Sequence, residues 1–211
     1  MQSIEVHSKI ATLKCIAARL GVEKIANHVL ENPKFEIWSG SSKVSQHHYG
    51  KHGLLDHTYD VVNLCQMMST YYLSRHKVNE VVVFLGALFH DFGKIYDYEP
   101  LDDEMTTWGS TDRKRLIHHV SRSSVEWTFA CTNATDQWSS AEWKFACSKS
   151  EAPEKCTETL FESVLHVILC HHGQRLAGSP VAPKSREAWL VHQCDGISAR
   201  MNDADTWDVV K

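Results

Sequence analysis

Proline, which breaks helix interiors, occurs in this chain only at positions 33, 100, 153, 180 and 183. The long intervals between carry apolar residues three and four apart, and sustained strand-like alternation is nearly absent. The expected fold is all-α, with roughly six to eight helices. At 43% hydrophobic and 23% charged, the 211 residues can build a core and do not read as disordered. The longest apolar run, Val81 to Phe89, falls short of a membrane span, and the opening MQSIEVHSKI lacks the basic start and apolar centre of a secretion signal. Seven cysteines without a CxxC pair argue against a disulfide framework. A cytoplasmic protein with no membrane partner is expected. The net charge of −4 provides no whole-chain basic field for nucleic acid.

Residues 4–31 read as a helical unit interrupted at Gly21 and ended by Asn32-Pro33. A second helix is expected from Leu54 to about Arg75. A third, capped by Asn79, runs from Glu80 to about Lys94, with Gly93 helping to close it. The acidic stretch 97–112 reads as a loop, and helical pattern returns at 113–130, 157–172 and 185–202. This gives an N-terminal helical arm, 1–43, and a domain over 44–211 with an insertion at about 126–156. The segment Val125-Glu-Trp-Thr-Phe-Ala-Cys131 is echoed by Ala141-Glu-Trp-Lys-Phe-Ala-Cys147. Two copies are too few for a solenoid. They read as a small duplicated helical or hairpin insertion whose Trp and Phe pack together, with a nucleobase-stacking platform as the alternative. Cys131, Cys147 and Cys156 lack zinc-finger spacing and read as buried thiols.

Histidine is the unusual entry, at 14 residues. His90-Asp91 lies inside Phe84-Leu-Gly-Ala-Leu-Phe-His-Asp-Phe-Gly-Lys94, and a helix continuing through Lys94 gathers His90, Asp91 and Lys94 on one side. An imidazole beside a carboxylate can share one divalent cation, and the carboxylate can bridge to a second. A lysine one turn on can hold a phosphate oxygen or protonate a leaving group. One His-Asp dipeptide is weak evidence. Its company is stronger: His57 in Gly53-Leu-Leu-Asp-His-Thr58, His118-His119, His171-His172-Gly173, and Asp195 in Val191-His-Gln-Cys-Asp195, each on an expected helix. Such N and O donors suit Mn, Fe, Co, Ni or Zn, and the carboxylates also tolerate Mg.

This series, with Gly178-Ser-Pro-Val-Ala-Pro-Lys-Ser-Arg-Glu-Ala188, resembles the HD-domain metal-dependent phosphohydrolase superfamily over about residues 44–203. Within it, the segments are most similar to the HD domain of YhaM-type 3′–5′ exoribonucleases. The resemblance implies a single HD-domain helical fold holding one or two divalent ions. It implies a first metal site of His57, His90, Asp91 and Asp195, with Asp91 bridging to a second cation on His119, His171 and His172; one of the adjacent histidines need not ligate. His118 and His52 stand where the family often has glycine. His192, on the face of Asp195, is expected to hydrogen-bond behind it. His7, His28 and His76 have no partner in the pattern and are expected at the surface. His47, His48 and His166 are undecided, although the YhaM-like branch also carries a His-His pair at about the position of the first two.

The implied chemistry is in-line attack of metal-activated water on phosphorus, with Asp91 and Lys94 as catalytic residues and Lys94 stabilising developing charge. Arg113, Lys114, Arg115 and Arg122 flank His119, and Lys184 and Arg186 lie in the Gly-Ser-Pro loop. They are candidates for holding substrate phosphates, against the plainer reading of solvated faces. The exoribonucleases carry an OB domain ahead of the HD domain, whereas residues before 44 read here as helices and leave no room for one. A small nucleotide is therefore the more natural substrate. Compact HD enzymes include 5′-nucleotidases and phage DatZ-like dATP triphosphohydrolases. The expected activity is a deoxynucleoside triphosphate triphosphohydrolase of dATP type. The alternatives are a 3′–5′ exonuclease on short RNA or single-stranded DNA, and a non-catalytic metal- or nucleotide-binding sensor module. Homo-oligomers are common among such enzymes.

Overall fold

A computed structural model describes residues 2–73, 76–135 and 160–207. The chain begins with α1 (Gln2–Leu20), α2 (Glu23–Leu30) and α3 (Pro33–Ile37), followed by α4 (Gly53–Leu73), α5 (Glu80–Phe89) and α6 (Lys94–Asp97). After a two-stranded hairpin come α7 (Asp112–Leu116), α8 (His118–Thr135), α9 (Leu160–Cys170), a 3₁₀ turn at Arg175–Ala177 and α10 (Arg186–Trp207). The protein is predominantly α-helical, as its spacing predicts. No described helix is long and apolar enough to cross a membrane.

The apolar run Val81–Phe89 is the central helix α5, buried at every one of these positions. Asn79 starts it by accepting hydrogen bonds from the backbone of Val81 and Val82. Helices α4, α9 and α10 pack around it, and α1 and α2 close one side against α4, α5 and α8. Leu13, Val22 and Ile25 of the N-terminal arm belong to the same buried cluster as Leu54, Phe84 and Val167.

Four local expectations are corrected. Asn32-Pro33 does not only end a helix: the Asn32 side chain caps the Lys34 N–H and Pro33 starts α3, where its missing N–H costs nothing. The third helix stops at Phe89, short of Lys94. A turn precedes α6, and Gly93 in it lies so close to α8 that an added Cβ would collide with the His119 carbonyl. The stretch 97–112 is not all loop. Tyr98–Pro100 (β1) and Trp108–Ser110 (β2) pair antiparallel, with Tyr98 opposite Ser110, but each strand is too short to show alternation. His28 is only partly exposed and has partners. Its Nε2 lies 2.7 Å from Glu126, and its ring stacks on Phe89 at 6.2 Å.

In the first copy of the internal echo, Trp127 is a core residue with its face against Phe161 and its edge on Phe89. Its indole N–H donates to the Phe161 carbonyl at 3.0 Å, so this ring is not available to stack a base. Phe129 is exposed and Cys131 is a buried thiol. The second copy, with Cys147 and Cys156, lies outside the described residues.

Candidate metal centre

The C-terminal end of α5 delivers His90 and Asp91 to the point where the other helices converge. His57 comes from the first turns of α4, His119 from the start of α8, Asp195 from mid-α10, and His171 and His172 from the residues just past α9. Three groups that could hold a metal ion form: His57, His90 and Asp195; Asp91 with His119, His171 and His172; and Asp97 with His118 and His119, which shares His119 with the second.

Asp91 joins the first two. Its Oδ2 lies 3.2 Å from His57 Nε2 and 3.4 Å from His90 Nε2, whereas its Oδ1 lies 3.3 Å from His119 Nε2 and 3.5 Å from His171 Nε2. Asp195 Oδ1 is 3.1 Å from His57 Nε2.

The outer nitrogens decide what this cluster wants. His90 Nδ1 donates to the Ala87 carbonyl at 2.7 Å, and His171 Nδ1 donates to the Ile168 carbonyl at 2.7 Å. His119 Nδ1 faces Asp97 Oδ2 at 3.2 Å. A neutral imidazole with its proton on Nδ1 presents a lone pair at Nε2. Those lone pairs point at carboxylate oxygens and at one another: His57 and His90 Nε2 are 3.2 Å apart, as are His119 and His172 Nε2. Asp91 Oδ1, His171 Nε2 and His172 Nδ1 are buried without a hydrogen-bond partner. Such a constellation is stable only around positive charge, so the donor set fits divalent cations.

The ionisation directions agree. Burial opposes charge on His57, but Asp195 and Asp91 outweigh it and raise its pKa to about 9. Burial opposes charge on Asp91 too, yet Lys94 and His90 hold it well below the usual carboxylate range. Burial keeps His119 well below its ordinary value and depresses His172 to about 3, so both remain neutral, as ligands must be. Lys94, buried against Asp91 with Nζ 2.6 Å from Oδ2, is held charged against the cost of burial by that carboxylate.

Two supporting groups escaped the sequence reading. Asp97 accepts from the His119 backbone N–H at 3.0 Å as well as facing its ring, and Ser198 Oγ lies 3.2 Å from His57 Nδ1. Asp97 occurs in an acidic stretch that reads as a loop, and Ser198 lies one turn past Asp195; neither carries a motif. His192 does not reach behind Asp195. Its Nδ1 donates to the His171 carbonyl at 2.6 Å, and its ring fills the space where a side chain on Gly173 would stand. His47 and His48 are placed beside the first group, with ring centroids 5.7 and 4.9 Å from His57. His166 accepts from the Lys184 backbone N–H at 3.0 Å.

The candidate phosphate holders are scattered. Arg115 is exposed and paired with Asp112 at 2.7 Å, and Arg122 lies over the Tyr96 ring at 4.9 Å. Lys184 is exposed, and Arg186 donates to the Lys77 carbonyl at 3.1 Å, beyond the end of α5 opposite His90. The partners of Arg115, Arg122 and Arg186 lie outside the candidate ligand set. Fold and site together define a predominantly helical protein with a buried His/Asp cluster that could hold a divalent metal. No family model and no solved structure matches the chain.

Proposed function

We propose that the protein is a metal-dependent phosphohydrolase of HD type acting on a small nucleotide, with a deoxynucleoside triphosphate as the preferred substrate. The observation that carries this reading is Asp91, which turns one oxygen to each histidine group. A carboxylate so shared suits paired cations, a device of phosphoryl-transfer sites. A divalent cation held here would supply Lewis-acid polarisation of a phosphoryl oxygen and would lower the pKa of water towards neutrality. His90, His119 and His171 are pinned through Nδ1 and keep Nε2 turned to the centre, so no reorganisation is needed when substrate arrives. Lys94 brings a fixed positive charge beside Asp91 and stabilises the charge that grows on the attacked phosphoryl group.

The test is product analysis by chromatography after incubating metal-loaded protein with all dNTPs, NTPs, NMPs and a short oligonucleotide. Release of a nucleoside and inorganic triphosphate from a dNTP is the expected result. Stepwise release of mononucleotides from the oligonucleotide, with dNTPs untouched, would make it a 3′–5′ exonuclease. Tight metal binding with no turnover of any substrate would make it a sensor.

A further inference from the structure

We propose that Lys114, Lys43, Ser42 and His118 form a polyphosphate-binding rim beside the metal centre, taking the outer phosphates of a triphosphate. Naming the substrate rests on the hydrolase reading above. Of the basic residues flanking His119, Lys114 differs from its neighbours: it is half-buried, whereas Arg113 and Arg115 are exposed. Its Nζ lies 4.6 Å from the centre of the Tyr98 ring and 3.4 Å from Ser42 Oγ. Ser42 Oγ is also bonded by Ser110 Oγ at 2.9 Å, which fixes the loop that carries Lys43 against the hairpin.

The rim is continuous with the catalytic cluster. Burial lowers the Lys114 pKa most; Asp97 opposes it, and Lys94 and Lys43 add to it, so Lys114 stands within reach of the Asp97 carboxylate and of both ammonium groups. Like charges gathered around one carboxylate are unfavourable unless an anion joins them. His118 connects the two regions. Its ring lies 4.1 Å from that of His119 and 5.8 Å from that of His172. It also occupies left-handed backbone at φ 66°, a conformation that glycine takes without penalty and other residues adopt at a cost of roughly 1–2 kcal/mol. An imidazole kept at a strained position against the metal ligands points to a role for its side chain.

The ligand chemistry follows from the compactness of the rim. A polyphosphate concentrates several charges over a few atoms, matching ammonium groups set close together. A nucleic-acid strand carries one charge per nucleotide and is gripped through stacking faces as well as charge. The tyrosine and tryptophan rings described at this rim offer none: Tyr98 is 5% exposed and Trp108 3% exposed. Lys114 covers a face of Tyr98, and Trp108 packs on Trp38 at 5.1 Å.

The experiment is calorimetric titration of the full metal-free chain with inorganic tripolyphosphate, orthophosphate and a short oligothymidylate. Tripolyphosphate is expected to bind most tightly. Lys114→Gln and Lys43→Gln should each weaken it about five- to tenfold, as loss of one charged contact does. The charge-matched control Lys14→Gln, on α1, should bind like the unaltered chain. Circular dichroism melts check folding, and Lys43, being exposed, carries the test if Lys114→Gln unfolds. Unchanged tripolyphosphate affinity in the folded lysine variants overturns the proposal, as does tighter, lysine-dependent binding of the oligothymidylate. Lysine-dependent tripolyphosphate binding in a protein that hydrolyses nothing would sink the hydrolase reading and leave the rim standing. Hydrolysis of dNTPs with lysine-independent binding would do the reverse.

Discussion

Because Ala87, Ile168 and Asp97 engage the Nδ1 atoms of His90, His171 and His119, three Nε2 lone pairs converge on the carboxylates of the site, and only protons or cations can hold them there. His57 shows which group takes the proton. Its folded-state pKa, about 9, lies above the ordinary 6.5, so the stability it contributes is whole below pH 6.5 and is lost as pH rises through 9. The melting temperature of chelated protein should therefore fall across that interval. A divalent cation must displace the same proton, so its affinity should rise across the same window. Titration calorimetry at pH 7 in buffers of different ionisation enthalpy should register proton release; none would mean that His57 is not a ligand. Behind the ligands, Asp97→Ala should weaken metal binding about 10- to 100-fold with the fold retained, since His119 loses the group that orients it. A dye-competition assay for metal affinity reads this directly. The candidate ligands were legible because each stands in a short motif. Asp97 and Ser198 were not, because their role depends on an approach across 22 and 141 residues that no local pattern encodes.

At the scale of elements, helical spacing and proline placement predicted the long helices, whereas their ends were set by neighbours. The stop of α5 at Phe89 is the instructive case. Nothing in Phe-Gly-Lys requires it, and the apolar pattern continues through Phe92 and Ile95. What ends the helix is the start of α8, which presses the His119 carbonyl and the Ser123 N–H onto Gly93, while Ser123 Oγ accepts the Gly93 N–H at 2.8 Å. Asp91, in the turn with Gly93, faces both histidine groups. Gly93 has φ −58°, so any side chain fits its backbone and the requirement is one of space alone. Gly93→Ala should cost about 1–3 kcal/mol in urea unfolding, because the atoms in the way are backbone and cannot rotate aside. It should also weaken metal binding by moving α8, and His119 with it, away from Asp91. Unaltered metal affinity in a destabilised variant would separate packing from the site.

For the molecule as a whole, a cation held in the cluster would work as a fastening. Its ligands come from α4, the turn after α5, α8, the residues past α9, and α10, so one point ties together the helices that surround α5. The apolar core already joins these elements, as Leu54, Leu88, Val167 and Val191 are all buried in one cluster. The cations would add cohesion where the core is interrupted by polar groups. Each bound cation should stabilise the fold by about 2.7 kcal/mol at a free concentration one hundred times its Kd. For a chain of this length, that corresponds to a rise in melting temperature of roughly 5–10 °C. Asp91→Ala should abolish most of this rise because it removes the group common to both halves, whereas Asp195→Ala should remove only the part due to the first. Hydrogen exchange locates the effect: on chelation, protection should fall together at the starts of α4 and α8 and in mid-α10, but less at the buried centre of α5. A loss confined to one helix would show that the cluster binds metal without fastening the fold.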